Sequence, residues 1–255
     1  MIRIGVVGAS GRTGRYVVQA LQGRSDARLY AAVVSPSCKM LGDVVEGTAV
    51  RYSAELDALS GADVVIEFTT PDVSLRIAGW CAEHRIPVLV ATTGHSEEQR
   101  QAIERLSTLI AVGMTPNTSV GAAVLAALAS QAKQLLGESF DIEVLDIHHR
   151  MKKDAPSGTA RAIVQPLAGN QQLVFGREGQ RCAGEVGVVA IRGGDAAGDH
   201  TVYFLGDGER LELTHRVSTR EVFGRGAVSL ALKLVGLPGG VYSAGQLIGP
   251  SVLQK

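Results

Sequence analysis

The sequence predicts an α/β protein in two parts: an N-terminal doubly wound parallel sheet, then an α+β domain with an open mixed, mostly antiparallel sheet. Three observations carry this. Over residues 1–118, strand-like apolar runs alternate with helical patterns, and parallel strands need such crossovers. After Asn117 the alternation gives way to one long Ala/Leu helix followed mainly by strand signals. Glycine is abundant, 31 of 255 residues against an average near 7%, with no repeat to explain it. That excess points to tight turns and close backbone approaches.

Taken in order, Ile2–Val7 is a short apolar run ending at glycine, and Arg15–Leu21 has helical spacing. Leu29–Val34 and Asp63–Phe68 read as the second and third strands. A helix is expected over Pro71–Glu83, with proline in the first turn. Pro87–Ala91 is a fourth strand, Ser96–Leu106 a helix with Glu97 and Glu98 in its first turn, and Leu109–Val112 a fifth strand. In the second part, Val120–Leu136 is the long helix. Asp141–His148, Glu185–Arg192, His200–Leu205 and Glu209–Val217 are the strands, with turns at Gly193-Gly194 and Gly206-Asp207-Gly208. Phe223–Val235 is helical again. The expected division is 1–118 for dinucleotide binding, with 226–255 folding back on it, and 119–225 for substrate binding and assembly.

Charge narrows the partners. The 25 Lys+Arg balance 25 Asp+Glu, and the balance holds along the chain: 11 basic and 12 acidic residues in 1–118, 12 and 13 in 119–225. This excludes a general nucleic-acid or anionic-membrane binder, both of which use an excess of cations. Cys38, Cys81 and Cys182 are odd in number and far apart, with no CxxC, so reduced thiols and a cytoplasmic location are expected, with no metal site. No signal-peptide pattern opens the chain. Leu106–Ala132 is uncharged, but prolines, glycines and hydroxyl residues interrupt it, and a strand, a loop and a buried helix are expected there.

Two segments carry chemistry. Gly8-Ala9-Ser10-Gly11-Arg12-Thr13-Gly14 follows the first strand and opens the first helix. Small residues there let the backbone reach a pyrophosphate, whose charge meets free N–H groups and the helix dipole. A Rossmann-type dinucleotide site follows. NAD selection usually needs a carboxylate after the second strand. Here Val33–Lys39 offers none, and Ser35, Ser37, Lys39 and Arg12 suit a 2′-phosphate, so NADPH is preferred and NADH possible. Ala91-Thr92-Thr93-Gly94 and Thr115-Pro116-Asn117-Thr118 end the fourth and fifth strands, where such a sheet presents its ligand face.

The second segment is His148-His149-Arg150-Met151-Lys152-Lys153-Asp154-Ala155-Pro156-Ser157-Gly158-Thr159. Ser157 is an N-cap for the next helix, leaving the Gly158 and Thr159 amides to hold an anion. Cations beside an open helix end suit a carboxylate or phosphate, and a histidine there exchanges protons near neutral pH. Adjacent strand residues face opposite ways, so His148 and His149 take different roles. His84 and His95 are expected at the surface, and His200 and His215 to be structural.

These motifs, with RGGDAAGDHTV at 192–202 and VFGRGA at 222–227, resemble the 4-hydroxy-tetrahydrodipicolinate reductase (dihydrodipicolinate reductase) family of bacterial lysine and diaminopimelate biosynthesis. The resemblance runs nearly end to end and is most specific in HHRMKKDAPSGTA. It implies NAD(P)H-dependent reduction of a small cyclic dicarboxylate, with His148 as proton donor and Lys152 as a second catalytic residue. It implies substrate contacts at His149, Gly158 and Thr159, and cofactor contacts at Gly8, Ala9, Ser10, Gly11, Arg12, Thr13, Ala91, Thr92, Thr93, Thr115, Pro116, Asn117 and Thr118. It also implies a homotetramer built through the second domain's sheet. Val34 and Ser35 stand where the family often has an acid, Thr118 where it has Phe or Met, and Ala91 where it has Gly. A paralogue acting on another dicarboxylate and a non-catalytic NADP-binding sensor are the alternative readings.

Overall fold

The computed structural model describes residues 1–249; the last six, the end of the tail expected to fold back, lie outside the described residues. The chain forms two compact units, one of Met1–Val120 with the chain from Arg220 on, the other Gly121–Thr219.

The first unit contains strands β1 (Ile2–Val7), β2 (Ala27–Val33), β3 (Tyr52–Ser53), β4 (Val64–Glu67), β5 (Val88–Val90) and β6 (Ala111–Met114). Its helices are α1 (Gly14–Leu21), α2 (Pro71–Glu83) and α3 (Glu97–Leu106). In the second unit lie α4 (Val120–Leu136), β7 (Asp141–His148), α5 (Gly158–Ala168), β8 (Gln172–Phe175), β9 (Glu185–Arg192), β10 (Asp199–Gly206) and β11 (Glu209–Arg216). The chain then returns to the first unit with α6 (Glu221–Leu234), β12 (Gly240–Ser243) and α7 (Ala244–Ile248).

The first sheet has the order β12-β6-β5-β4-β1-β2-β3, and every pairing is parallel. Winding runs outward in both directions from β1 and β4, so right-handed crossovers put α1 on one face and α2 and α3 on the other. Buried strands read as continuous apolar runs, as VVIE in β4 does. Ile77, Ala78, Cys81 and Ile103 pack one face against Val65, Val88 and Val112. α1 and α6 pack closely enough that a Cβ on Gly224 would run into the Tyr16 backbone. Two strands are additional to the five expected. β3 has two residues, too short for a periodic signal, and β12 comes from the glycine-rich tail. β6 lies two residues beyond the expected Leu109–Val112, because Leu109 is an exposed turn residue and the strand runs on to Met114.

The second sheet has the order β11-β10-β7-β9-β8. β11–β10 and β10–β7 are antiparallel, while β7–β9 and β9–β8 are parallel. It is mixed as expected but evenly so, not mostly antiparallel, because α5 and the unexpected β8 make a crossover between β7 and β9. Alternation in β7 sends Ile142, Val144, Asp146 and His148 to the buried face. There Ile142 and Val144 join Leu125 and Ala129 of α4, Ile163 and Leu167 of α5, and Phe204 in one core.

α4 is less buried than expected. Leu125, Ala129 and Ala132 face the core, but Val124, Leu128 and Leu135 are exposed. Val120–Ser139 is by length and composition long and apolar enough to cross a membrane, while its inward residues belong to this core.

Candidate active site

All strands of the first sheet point the same way, so the loops after β1, β2, β4, β5 and β6 share one edge. The glycine turn lies at the topological switch point between β1 and β4, where such sheets bind ligands. Gly8 has φ 77° and its amide, like that of Ala9, donates to Val33 O at the end of β2 (2.9 and 3.2 Å). A Cβ there would strike Phe68 O. Gly11 N donates to Gly8 O (2.9 Å), and a Cβ at Gly14 would strike that same oxygen. The turn is therefore closed by glycines at both ends, with Gly11 and Arg12 exposed at its tip and Thr13 leading into α1. These are the demands of a backbone that approaches a pyrophosphate, so the residues fit a dinucleotide.

Beside the turn, Ser10 Oγ lies 3.4 Å from Cys38 Sγ, bringing the loop after β2 to the glycine turn. Ser35, Ser37 and Lys39 are exposed there, and Ser35 Oγ caps its own loop, 3.3 Å from Ser37 N.

After β5, Ala91 and Thr92 are buried and Thr93 is exposed. After β6, Thr115 Oγ1 donates to Asn117 O (2.6 Å), Asn117 Oδ1 accepts from Ser119 N (2.8 Å), and Pro116 is exposed. Thr118 turns its hydroxyl onto Phe223 O (2.8 Å), at the start of α6.

Glu67 is a residue that sequence reasoning passed over. It ends β4 wholly buried and accepts from Thr69 Oγ1 (2.8 Å), Ser74 Oγ (2.7 Å), Thr92 Oγ1 (2.7 Å) and Thr92 N (3.3 Å). A buried carboxylate costs several kcal/mol unless it is met by such donors. One side chain thus ties the loops after β4 and β5 together.

In the second unit, His148 closes β7 and is 8% exposed. Its Nδ1 lies 2.9 Å from Oδ1 of Asp146, two residues back on the same face. Asp146 is fully buried. His200 Nε2 lies 3.3 Å from the same oxygen, while Oδ2 receives Ser157 N (2.8 Å) and Arg192 Nη2 (2.9 Å). Burial pushes the Asp146 carboxyl up, but His148, His200, the Ser157 amide and Arg192 together outweigh it and hold it far below the usual carboxylate range.

Ser157 caps α5, its Oγ accepting from Ala160 N (3.0 Å). The helix start at Gly158 is exposed and Thr159 half-buried. His149 is half-buried, its amide on Ala196 O (2.8 Å). Lys152 pairs with Asp154 (2.9 Å), while Arg150 and Lys153 are exposed. Asp146, Arg192 and His200 were missed as members of this cluster. The available signal was an acid at 146 in step with Ile142 and Val144, since an inward-facing carboxylate requires cationic or hydrogen-bonding company. His84 is exposed and stacks on Trp80 (3.9 Å between ring centroids), whereas His95 is half-buried.

A glycine turn at the switch point of a parallel sheet, in a chain whose second unit holds a buried histidine against a carboxylate and a capped helix start, is the pattern of a nucleotide-dependent oxidoreductase. Family models agree across both units: residues 2–118 match "Dihydrodipicolinate reductase, N-terminus" and residues 121–248 match "Dihydrodipicolinate reductase, C-terminus". The chain belongs to the dihydrodipicolinate reductase family and is an NAD(P)H-dependent oxidoreductase. It is 38% identical to the 4-hydroxy-tetrahydrodipicolinate reductase of Syntrophotalea carbinolica, over 98% of this chain and 99% of that one. To the protein of the same name from Anaeromyxobacter sp. it is 39% identical, over 98% of both. A dipicolinate-bound dihydrodipicolinate reductase from Paenisporosarcina sp. TG-14 shares the fold, with TM-score 0.77, 22% identity, and coverage of 98% of this chain and 100% of that one.

Proposed function

We propose that this chain reduces 4-hydroxy-tetrahydrodipicolinate to tetrahydrodipicolinate in lysine and diaminopimelate biosynthesis, with NADPH preferred over NADH and His148 as the proton donor. The first unit binds the dinucleotide, the second the dicarboxylate. The observation that carries this is the buried Asp146–His148 contact next to the Ser157-capped start of α5. It joins a proton donor to an anion-holding helix end, as reduction of a dicarboxylate requires.

The bound cofactor supplies a hydride to the conjugated imine. The chain's residues do the rest. Gly158, Thr159 and His149 hold the carboxylates, and His148 delivers one proton to the electron-rich product of hydride addition. Lys152 stabilises the developing negative charge or assists departure of the 4-hydroxyl as water. Hydride and proton in, water out, balances the reaction. Gly8–Thr13, Ala91–Thr93 and Thr115–Thr118 line the cofactor's side, with Thr118 contributing through its backbone because its hydroxyl is spent on Phe223. Exposed Ser35, Ser37, Lys39 and Arg12, with no carboxylate among them, support a 2′-phosphate.

A homotetramer through the second sheet fits the sheet's outer side, where Val189, Ile191 and Leu205 are exposed. Three free cysteines fit a reducing cytoplasm. The paralogue and sensor readings are weaker. The relatives cited share one reductase name over nearly the full chain, and a sensor has no use for a buried proton donor.

The test is NADPH absorbance with enzymatically generated 4-hydroxy-tetrahydrodipicolinate. Turnover, faster with NADPH than NADH, is expected. Tight NADPH binding without turnover would overturn the reading.

A further inference from the structure

We propose that Asp146 is the positioning residue for His148: it keeps a proton on Nδ1, so that Nε2 is the working nitrogen, and locks that ring to the start of α5. This rests on the reading of His148 as proton donor.

The geometry gives His148 Nδ1 one destination. Asp146 Oδ1 lies 2.9 Å away, at ion-pair distance though not aligned as a hydrogen bond, and His200 Nε2 stands 3.3 Å from the same oxygen. An acceptor-only carboxylate facing Nδ1 requires a proton on that nitrogen. The second ring nitrogen faces the other way, toward the loop before β10. A Cβ on Gly198 would come within 2.9 Å of His148 Nε2, so a glycine keeps that side clear. Imidazole tautomers are set by what the other nitrogen contacts.

The carboxylate is itself immobilised from every element around it. Arg192 of β9 reaches Oδ2 and also donates through Nη1 to the Asp146 carbonyl (3.1 Å) and through Nη2 to Asp154 O (2.7 Å). His200 of β10 approaches Oδ1 and also sits 3.2 Å from Ser157 Oγ. His215 of β11 stands opposite His200 in register. From α5, the Ser157 amide donates to Oδ2. Asp146 therefore touches both the proton donor and the N-cap of the helix that holds substrate, and a shift in either moves the other.

A metal centre is the competing use of these atoms, since Asp146, His148 and His200 offer three ligand atoms within 4.8 Å of one another. Arg192 argues against it. Its guanidinium already neutralises the carboxylate at 2.9 Å and would repel a cation placed beside it.

The experiment pairs kinetics with a tautomer measurement on the full chain. Asp146→Asn should lower kcat about 10²–10⁴-fold, as in other histidines deprived of an orienting carboxylate, with KM for NADPH changed less than about twofold. Nitrogen-15 NMR of the wild-type His148 ring should show a proton on Nδ1, in the neutral or doubly protonated form. In Asp146→Asn that preference should be lost. A wild-type ring protonated only on Nε2 would overturn the proposal even if the variant fails to fold. So would an active wild type whose Asp146→Asn variant keeps its kcat, or activity that a chelator removes and zinc restores. If the wild type shows the Nδ1 proton but no turnover of the dicarboxylate, the functional reading fails while the placement of the proton stands.

Discussion

Glu67 and Thr92 are bonded twice, Thr92 Oγ1 to Oε2 at 2.7 Å and Thr92 N to Oε1 at 3.3 Å. Because Thr69 and Ser74 meet the same carboxyl group, the edge where the cofactor is proposed to sit is organised by one buried side chain. Glu67→Gln replaces an acceptor oxygen by an NH₂ group facing hydroxyl donors. The expected loss is about 1–3 kcal/mol in stability and about tenfold in NADPH affinity, read by urea unfolding and by fluorescence titration. Unchanged affinity would show that the loops after β4 and β5 are held by something else.

Helix glycines should split by what surrounds them. A methyl at Gly226 would collide with Thr118 O, and one at Gly224 with the Tyr16 backbone. Either substitution to alanine should cost about 2–3 kcal/mol or more, because backbone cannot step aside as a side chain does. Gly79, inside α2, has open space where a Cβ would go. Gly79→Ala should stabilise by about 0.5–1 kcal/mol. Thermal melts of the three variants check both signs.

Ser157→Ala removes the cap on α5 and the hydroxyl beside His200. A loss of about 1–2 kcal/mol is expected, with KM for the dicarboxylate raised and KM for NADPH unchanged. Chemical denaturation and steady-state kinetics measure the two effects separately.

The Asp146 carboxyl has a folded-state pKa below its unfolded value, burial opposing and its four partners favouring ionisation. Its contribution to stability is therefore complete above about pH 4 and is lost as pH falls below that, toward the depressed folded value. Urea midpoints should drop as pH falls below about 4 in the wild type, and less steeply in Asp146→Asn. Equal slopes would show that other carboxylates, such as Asp63 paired with Arg3, dominate acid unfolding.

Thiol labelling offers a separate readout. Cys182 is exposed and should react first. Cys81 is buried, and burial pushes its thiol well above the usual range, so it should react only on unfolding. Cys38 lies against Ser10 in the glycine turn. NADPH should slow its labelling and leave Cys182 unaffected.

Much of the architecture was legible because strands buried on two faces read as unbroken apolar runs, and caps such as Ser96 and Ser157 announce helices. Less visible were elements whose signal is not local. β3 and β12 are two- and four-residue strands that exist because a neighbour is there to pair with. β8 is a half-buried edge with no clean alternation. At the site, the histidine cluster and the S-G-T helix start stood out by composition. Asp146 and Glu67 did not, the first being one of three acids in β7 and the second a lone acid ending β4, and both draw partners from distant segments. Arg192 lies 46 residues from Asp146, and Thr92 lies 25 from Glu67.

β12 and α6 carry a consequence for how the protein comes into being on the ribosome. The nucleotide-binding unit takes its outermost strand and the helix against α1 from residues translated after the whole of the other unit. A nascent chain that has emerged only as far as Val120 has no α6 to cover the helix face of its sheet and no partner for the free side of β6. The second unit is contiguous and has all five of its strands in hand before α6 is made. Synthesis from the amino end therefore lets the later-encoded half finish first, and the half that begins the chain closes last.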